Sequence, residues 1–188
     1  MFSFTVKNGD KEYLVYICPI KNCTKLDYYL DNIAELEKEM EASIVIVRKE
    51  LAPFKRFLQI ACTNALNRFL SKKGIAKKLS IEILLNIAGT RQIKDAIKRI
   101  VPVKELEALA IVISSKKRNP LEVAKRLRDV LECGETCYEF RVDKLLFNKV
   151  MEIYSISEEE IMCTYASDIF EALEKCLISR MAMLYITK

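Results

Sequence analysis

A chain of 188 residues with 51% apolar and 30% charged side chains has ordinary globular composition and material for one substantial core, or two small ones. Four glycines and four prolines are too few for long disordered linkers. Lys and Arg number 31 against 26 Asp and Glu, a net charge of +5; with no histidine, the commonest general base and every Ser-His or Cys-His nucleophile are excluded.

The N-terminal stretch "MFSFTVKNGDKEYLVYICPI" alternates apolar and polar residues and lacks the parts of a signal peptide. No run reaches the roughly 18 apolar residues of a membrane span. A cytoplasmic protein is expected, with no membrane partner. Lys, Glu and Ile dominate the composition, as suits a thermophile.

Residues 2–7 and 12–18 read as a hairpin around the turn signal "KNGDK". From Thr24, which can cap it, a helix is expected to Met40, with Leu26, Tyr29, Leu30, Ile33, Leu36 and Met40 at helical spacing. "SIVIV" at 43–47 reads as a buried strand. After Pro53 a long helix is expected to about Lys72, stopped by Gly74. Ser80 should start a short helix that Gly89 ends, Arg91 to Ile100 a third, and Pro102 closes the block. "ALAIVIS" at 108–114 is a second buried strand, and Pro120 opens a helix to about Glu132. "YEFRV" at 138–142 reads as an edge strand. "SISEEEI" opens a helix, and a last one spans about Ser167 to Tyr185. The expected fold is mixed α/β in a single domain over 1–188. The hairpin and two buried strands form a small central sheet, flanked by helices and by a helical block at 53–100.

Seven cysteines are an odd number, which argues against a secreted disulfide scaffold. Cys18–Cys23 and Cys133–Cys137 have metal-like spacing, but neither shows a zinc-knuckle gap and no histidine completes a mixed site. No metal and no cofactor are expected. The cysteines read as small buried residues, Cys62, Cys163 and Cys176 in apolar helical patterns; pairing of Cys133 with Cys137 stays open. No glycine spacing fits a phosphate loop. Glu158, Glu159 and Glu160 read as acids in the first turn of a helix, and no lysine stands in an apolar setting as a lone base. A catalytic site is not expected; binding is.

Charge says where. Arg68 to Ile100 carries nine Lys or Arg against Glu82 and Asp95, a net +7, while the rest of the chain sums to −2. That concentration is the footprint of a phosphate-bearing partner. Lys72, Lys73, Lys77 and Lys78 surround Gly74, Ile75 and Ala76. An exposed isoleucine among lysines suits an unpaired base, with its phosphates on the lysines. Thr90, Arg91 and Gln92 follow Gly89, open a helix and can hold a phosphate and read a base edge. The alternative is that Thr90 merely caps and Ile75 folds inward.

"KKGIAKKLSIEILLNIAGTRQIKDAI" resembles the signature of the small kinase-binding subunit of the KEOPS complex, the TPRKB family. The hairpin, the helix "FKRFLQIACTNALNRFL", the turn "GTRQI" and the apolar C-terminal helix follow in that family's order. The resemblance implies a non-catalytic subunit. It would dock on the kinase-like ATPase subunit and, through it, serve the catalytic transferase subunit that installs threonylcarbamoyl on the adenosine beside the anticodon. It would recruit tRNA by its single-stranded 3′ CCA end. The implied tRNA site is Lys72, Lys73, Gly74, Ile75, Ala76, Thr90, Arg91 and Gln92; helical spacing and charge add Asn67, Arg68 and Lys77. "CLISRMAMLYI" is apolar nearly all round, so this helix is either deeply buried or half covered by a partner. With the resemblance, it offers Leu177, Met181, Met183 and Tyr185 to the kinase-like subunit. The other reading of 79–100 is a helix-turn-helix of a DNA-binding regulator, its basic second helix suited to a major groove. Against it, the lysine cluster precedes the first helix, and no dimerisation coiled coil is evident.

Overall fold

The computed structural model describes residues 2–102, 107–115, 119–134 and 143–186, the side chains of 27–31 excepted. Two compact units are found, Met1–Lys49 with Val101–Glu139, and Glu50–Ile100 with Phe140–Lys188.

The first unit is built on a four-stranded antiparallel sheet of order β1-β2-β4-β3. Strands β1 (Phe2–Asn8) and β2 (Lys11–Lys21) form the expected hairpin. Asn8 faces Lys11, and the two-residue turn needs glycine because Gly9 has φ +57°. β2 runs beyond its expected end through Pro19, which cannot donate to a ladder. The last described pair of β1 with β2 is Phe2 with Ile17, and Pro19 lies beyond it, opposite Leu109 of β4. β4 (Glu107–Ser115) pairs with β2 on one side and β3 (Ser43–Arg48) on the other, which explains its unbroken apolar run. On one sheet face, Ile20, Ile44, Ile46, Ala110 and Val112 pack with Leu36 and Met40 of α1 (Leu26–Met40) and Val123 and Leu127 of α5 (Pro120–Val130).

Thr24 does not cap α1. Its hydroxyl donates instead to Glu132 at 2.7 Å, while Lys25 occupies the cap position. Tyr29 and Leu30, two of the expected apolar positions, fall among the side chains not described. Asn119 caps α5 by accepting from the Leu121 N–H at 3.0 Å. Cys23 and Cys133 form a disulfide. The local spacings 18/23 and 133/137 therefore mislead for these two cysteines, because folding brings together residues 110 apart in sequence. Cys137 and the expected strand 138–142 lie outside the described residues.

The second unit is helical: α2 (Lys55–Leu70), α3 (Leu79–Ala88), α4 (Ile93–Ile100), α6 (Lys144–Tyr154), α7 (Glu158–Cys163) and α8 (Ile169–Met183). α2 buries Phe57, Leu58, Ala61, Cys62, Ala65 and Leu66 along one side. It ends before Gly74: Ser71 is its C-cap, and Lys72 takes the left-handed turn at φ 57°. Ser80 does not start α3; Lys78 is the N-cap, and Ser80 is buried inside the first turn. Gly89, at φ +63°, ends α3 as expected, and a Cβ there would lie 3.2 Å from the Arg180 carbonyl oxygen.

Helix α6 has no counterpart in the sequence reading. Its signals were an Asp143 cap, accepting from Leu146 N–H at 2.9 Å, and Phe147, Val150 and Tyr154 on one face. Ser157 caps α7, and Asp168 caps α8 by accepting from the N–H groups of Phe170 and Glu171. Cys62 and Cys176 are buried as expected, but Cys163, in the last turn of the short α7, is exposed. Among the described residues no helix is long and apolar enough to cross a membrane.

Candidate functional site

The basic loop grows out of the last turn of α2. Asn67 and Arg68 are half-buried there, and cations at a helix C-terminus meet the negative end of its dipole. Arg68 turns over the following chain. Its Nη2 donates to the Lys73 carbonyl at 3.1 Å, and its guanidinium stacks 3.6 Å from the centre of the Tyr185 ring. Lys73 N–H returns to the Arg68 carbonyl at 2.9 Å, closing a tight turn. Lys72, Lys73, Lys77 and Lys78 are exposed. Gly74, Ile75 and Ala76 between them are half-buried, so Ile75 is less open than the sequence suggests.

What holds Ile75 in place is a carboxylate. Glu82 is wholly buried in the first turn of α3, and its Oε2 accepts from the N–H groups of both Ile75 and Ala76 at 2.7 Å. Its Oε1 accepts from the Tyr185 hydroxyl at 3.0 Å. That hydroxyl in turn accepts from Asn86 Nδ2 at 2.6 Å, and the same amide donates to the Glu82 carbonyl. A buried carboxylate is costly unless donors surround it, and here three do. Burial, the largest influence, pushes the Tyr185 phenol up to about 12, so it stays a proton donor at neutral pH. Glu82 and Asn86 are the site residues that sequence reasoning missed. Their signal was polar residues inside the apolar run "IEILLNIA".

Thr90, Arg91 and Gln92 follow α3, whereas the lysine loop precedes it. Ten helical residues, about 15 Å of axis, separate the two groups. Thr90 Oγ1 accepts from the Gln92 N–H at 3.3 Å, which orders the entry to α4; Arg91 and Gln92 are exposed.

The C-terminal helix sorts its nominated residues differently. Leu177 and Met181 lie in the unit's own core, on the face of α8 that meets the neighbouring helices α2, α3, α6 and α7. Tyr185 is half-buried and committed to Glu82 and Arg68. Met183 is 48% exposed. More exposed apolar side chains lie around the α7–α8 connection: Met162 is 85%, Tyr165 95% and Ile169, the first residue of α8, 56% exposed. Tyr165 and Ile169 stand at four-residue steps before Leu173 and Leu177, but the chain leaves α7 after Cys163 and re-enters a helix only at Ile169. Lys175 anchors this connection by donating to the Tyr165 carbonyl at 2.7 Å.

A rigidly held basic loop with an apolar tip, and exposed aromatic and aliphatic side chains elsewhere on the same unit, mark a protein that acts by binding. The family described as "Kinase binding protein CGI-121" matches residues 18–185, and the chain belongs to that family. No curated protein matches it.

Proposed function

We propose that this protein is a non-catalytic, cytoplasmic subunit of the KEOPS tRNA-modification complex, docking on the kinase-like ATPase subunit and bringing tRNA to it by the 3′ CCA end. Kinase binding is what the family is described by. The observation that carries the tRNA half is the loop at 72–78, with four exposed lysines around a half-buried Ile75 and Ala76 whose backbone is pinned from below. Lysines suit phosphates, and an apolar tip suits the face of an unpaired base. Arg68, stacked on Tyr185, keeps a cation beside that tip. Thr90, Arg91 and Gln92 sit at the far end of α3, whose residues from Glu82 to Ala88 are buried, so an RNA strand reaching both would pass over the side chains that cover this helix.

The decisive measurement compares intact tRNA with the same tRNA lacking its CCA, across a salt series. The expected result is weaker binding after trimming and a log–log salt slope of about −0.7 per phosphate neutralised. Equal binding of both, or equal binding of duplex DNA as for a helix-turn-helix regulator, overturns the reading. Ile75→Glu places a charge where a base would stack. It is expected to weaken intact tRNA about tenfold while thermal stability stays close to the parent's. For the kinase-like subunit, Tyr165, Met162 and Ile169 are the proposed contact, with Met183. Tyr165→Asp should abolish co-purification of the two subunits and leave tRNA binding by the free chain unchanged.

A further inference from the structure

The lysine loop closes over an acidic side chain of the helix that follows it. Successive N–H groups of Ile75 and Ala76 converge at 2.7 Å on one oxygen, Glu82 Oε2. Two consecutive amides aimed at one point form a nest, the arrangement by which backbone holds phosphates. Gly74 lets the chain close over it: a Cβ at this position would lie 3.1 Å from Oε2 and 3.2 Å from Cδ of the same carboxylate. The opposite oxygen is held by the Tyr185 hydroxyl, itself fixed by Asn86. In a stretch of net +7 the loop's amides are thus already occupied, and by a side chain with no exposed surface.

We propose that Glu82 is a positioning and specificity residue of the RNA-end site. It fills the loop's anion nest, so the amides are withheld from phosphate and the loop presents Ile75 and Ala76 to a base instead. Phosphate is left to the lysine side chains, whose contacts tolerate movement along the strand. Tyr185 supports the same carboxylate from its other oxygen. This rests on the tRNA-end reading above and assigns the discrimination between base and phosphate to one buried side chain. Removing the carboxylate empties the nest and turns a base platform into a phosphate cradle.

The test uses the full chain and Glu82→Ala, both checked for folding by circular dichroism. Two quantities are read: the ratio of affinities for intact and CCA-trimmed tRNA, and the amide resonances of Ile75 and Ala76 during titration with inorganic phosphate. In the parent those two resonances should not move. In Glu82→Ala both should shift, and the intact-to-trimmed ratio should fall about fivefold or more, the worth of one base stack. A folded variant that keeps the parent's ratio and ignores phosphate overturns the proposal. If the parent itself does not distinguish the two tRNAs, the tRNA-end reading fails, and the phosphate titration still decides whether Glu82 fills the nest. Should Glu82→Ala not fold, amide hydrogen exchange on the parent and on Tyr185→Phe decides. Protection at Ile75 and Ala76 in the parent, with faster exchange at both in the variant, supports the proposal. Parent amides that exchange as freely as unstructured chain overturn it.

Discussion

Glu107 stands at the start of the central strand and accepts from two lysines, Lys49 at 2.6 Å and Lys21 at 3.0 Å. The Lys49 hydrogen bond is the larger influence, and with Lys21 it outweighs partial burial, holding this carboxyl down at about 2. The folded chain therefore releases this proton more readily than the unfolded chain. The resulting stability is fully present above the ordinary carboxyl range and is lost as pH falls toward 2. Urea midpoints measured from pH 6 to pH 2 should fall across that window, and Glu107→Gln should flatten part of the fall. A variant with the parent's slope would show that Glu107 is not the group responsible. Residues such as this were invisible in the sequence, because Lys21, Lys49 and Glu107 belong to three separate segments that only strand pairing brings together. The contact between Glu82 and Tyr185, 103 residues apart, was not legible either, although Glu82 stood out as a polar residue in an apolar run.

Among the elements, legibility followed punctuation. Gly9, Gly89, Pro102 and Pro120 marked boundaries that the structure keeps, because a left-handed turn or a missing N–H constrains the chain locally. Gly74 misled: it looked like a helix stop, yet its role is to let the backbone approach Glu82. α6 was missed because neither glycine nor proline frames it, although Asp143 caps it. Capping also shapes α8, where Asp168 accepts from two N–H groups at 2.9 and 2.8 Å. Asp168→Ala leaves both donors to water. The expected cost is about 1 kcal/mol, a drop of about 2–4 °C in melting temperature for a chain of this size. Differential scanning calorimetry reads it directly, and an unchanged melting temperature would mean that the α8 N-terminus does not unfold with the transition being measured.

In the whole molecule, each unit draws on two stretches of chain that lie far apart in sequence. The Cys23–Cys133 disulfide joins the two stretches of the sheet-bearing unit, beside the Thr24–Glu132 contact and the Gly134 N–H to Lys21 carbonyl hydrogen bond at 2.9 Å. A crosslink between residues 110 apart restricts the unfolded chain strongly. Reduction with a thiol, or Cys23→Ser, is expected to lower stability by about 2–4 kcal/mol, read as a shift of the denaturant midpoint. Cys18 and Cys62 should not exchange into the bond in the native state, since burial pushes their thiols up to about 11 and about 12.

The sequence by itself determined the mixed α/β class, the hairpin, both buried strands, most helices and the concentration of positive charge, since these depend on residue periodicity and on local turn chemistry. It also carried the resemblance to a kinase-binding family that the chain proves to belong to. Only the tertiary structure decided which apolar residues are surface and which are core. Leu177 and Tyr165 fit one helical stripe equally well, yet one is buried in the core of the helical unit and the other is exposed where the chain leaves α7, held there by Lys175. It likewise decided the cysteine partner and the carboxylate beneath the lysine loop, because a hydrogen bond or a disulfide requires atoms to meet in space, and a one-dimensional pattern holds no record of distances across a hundred residues.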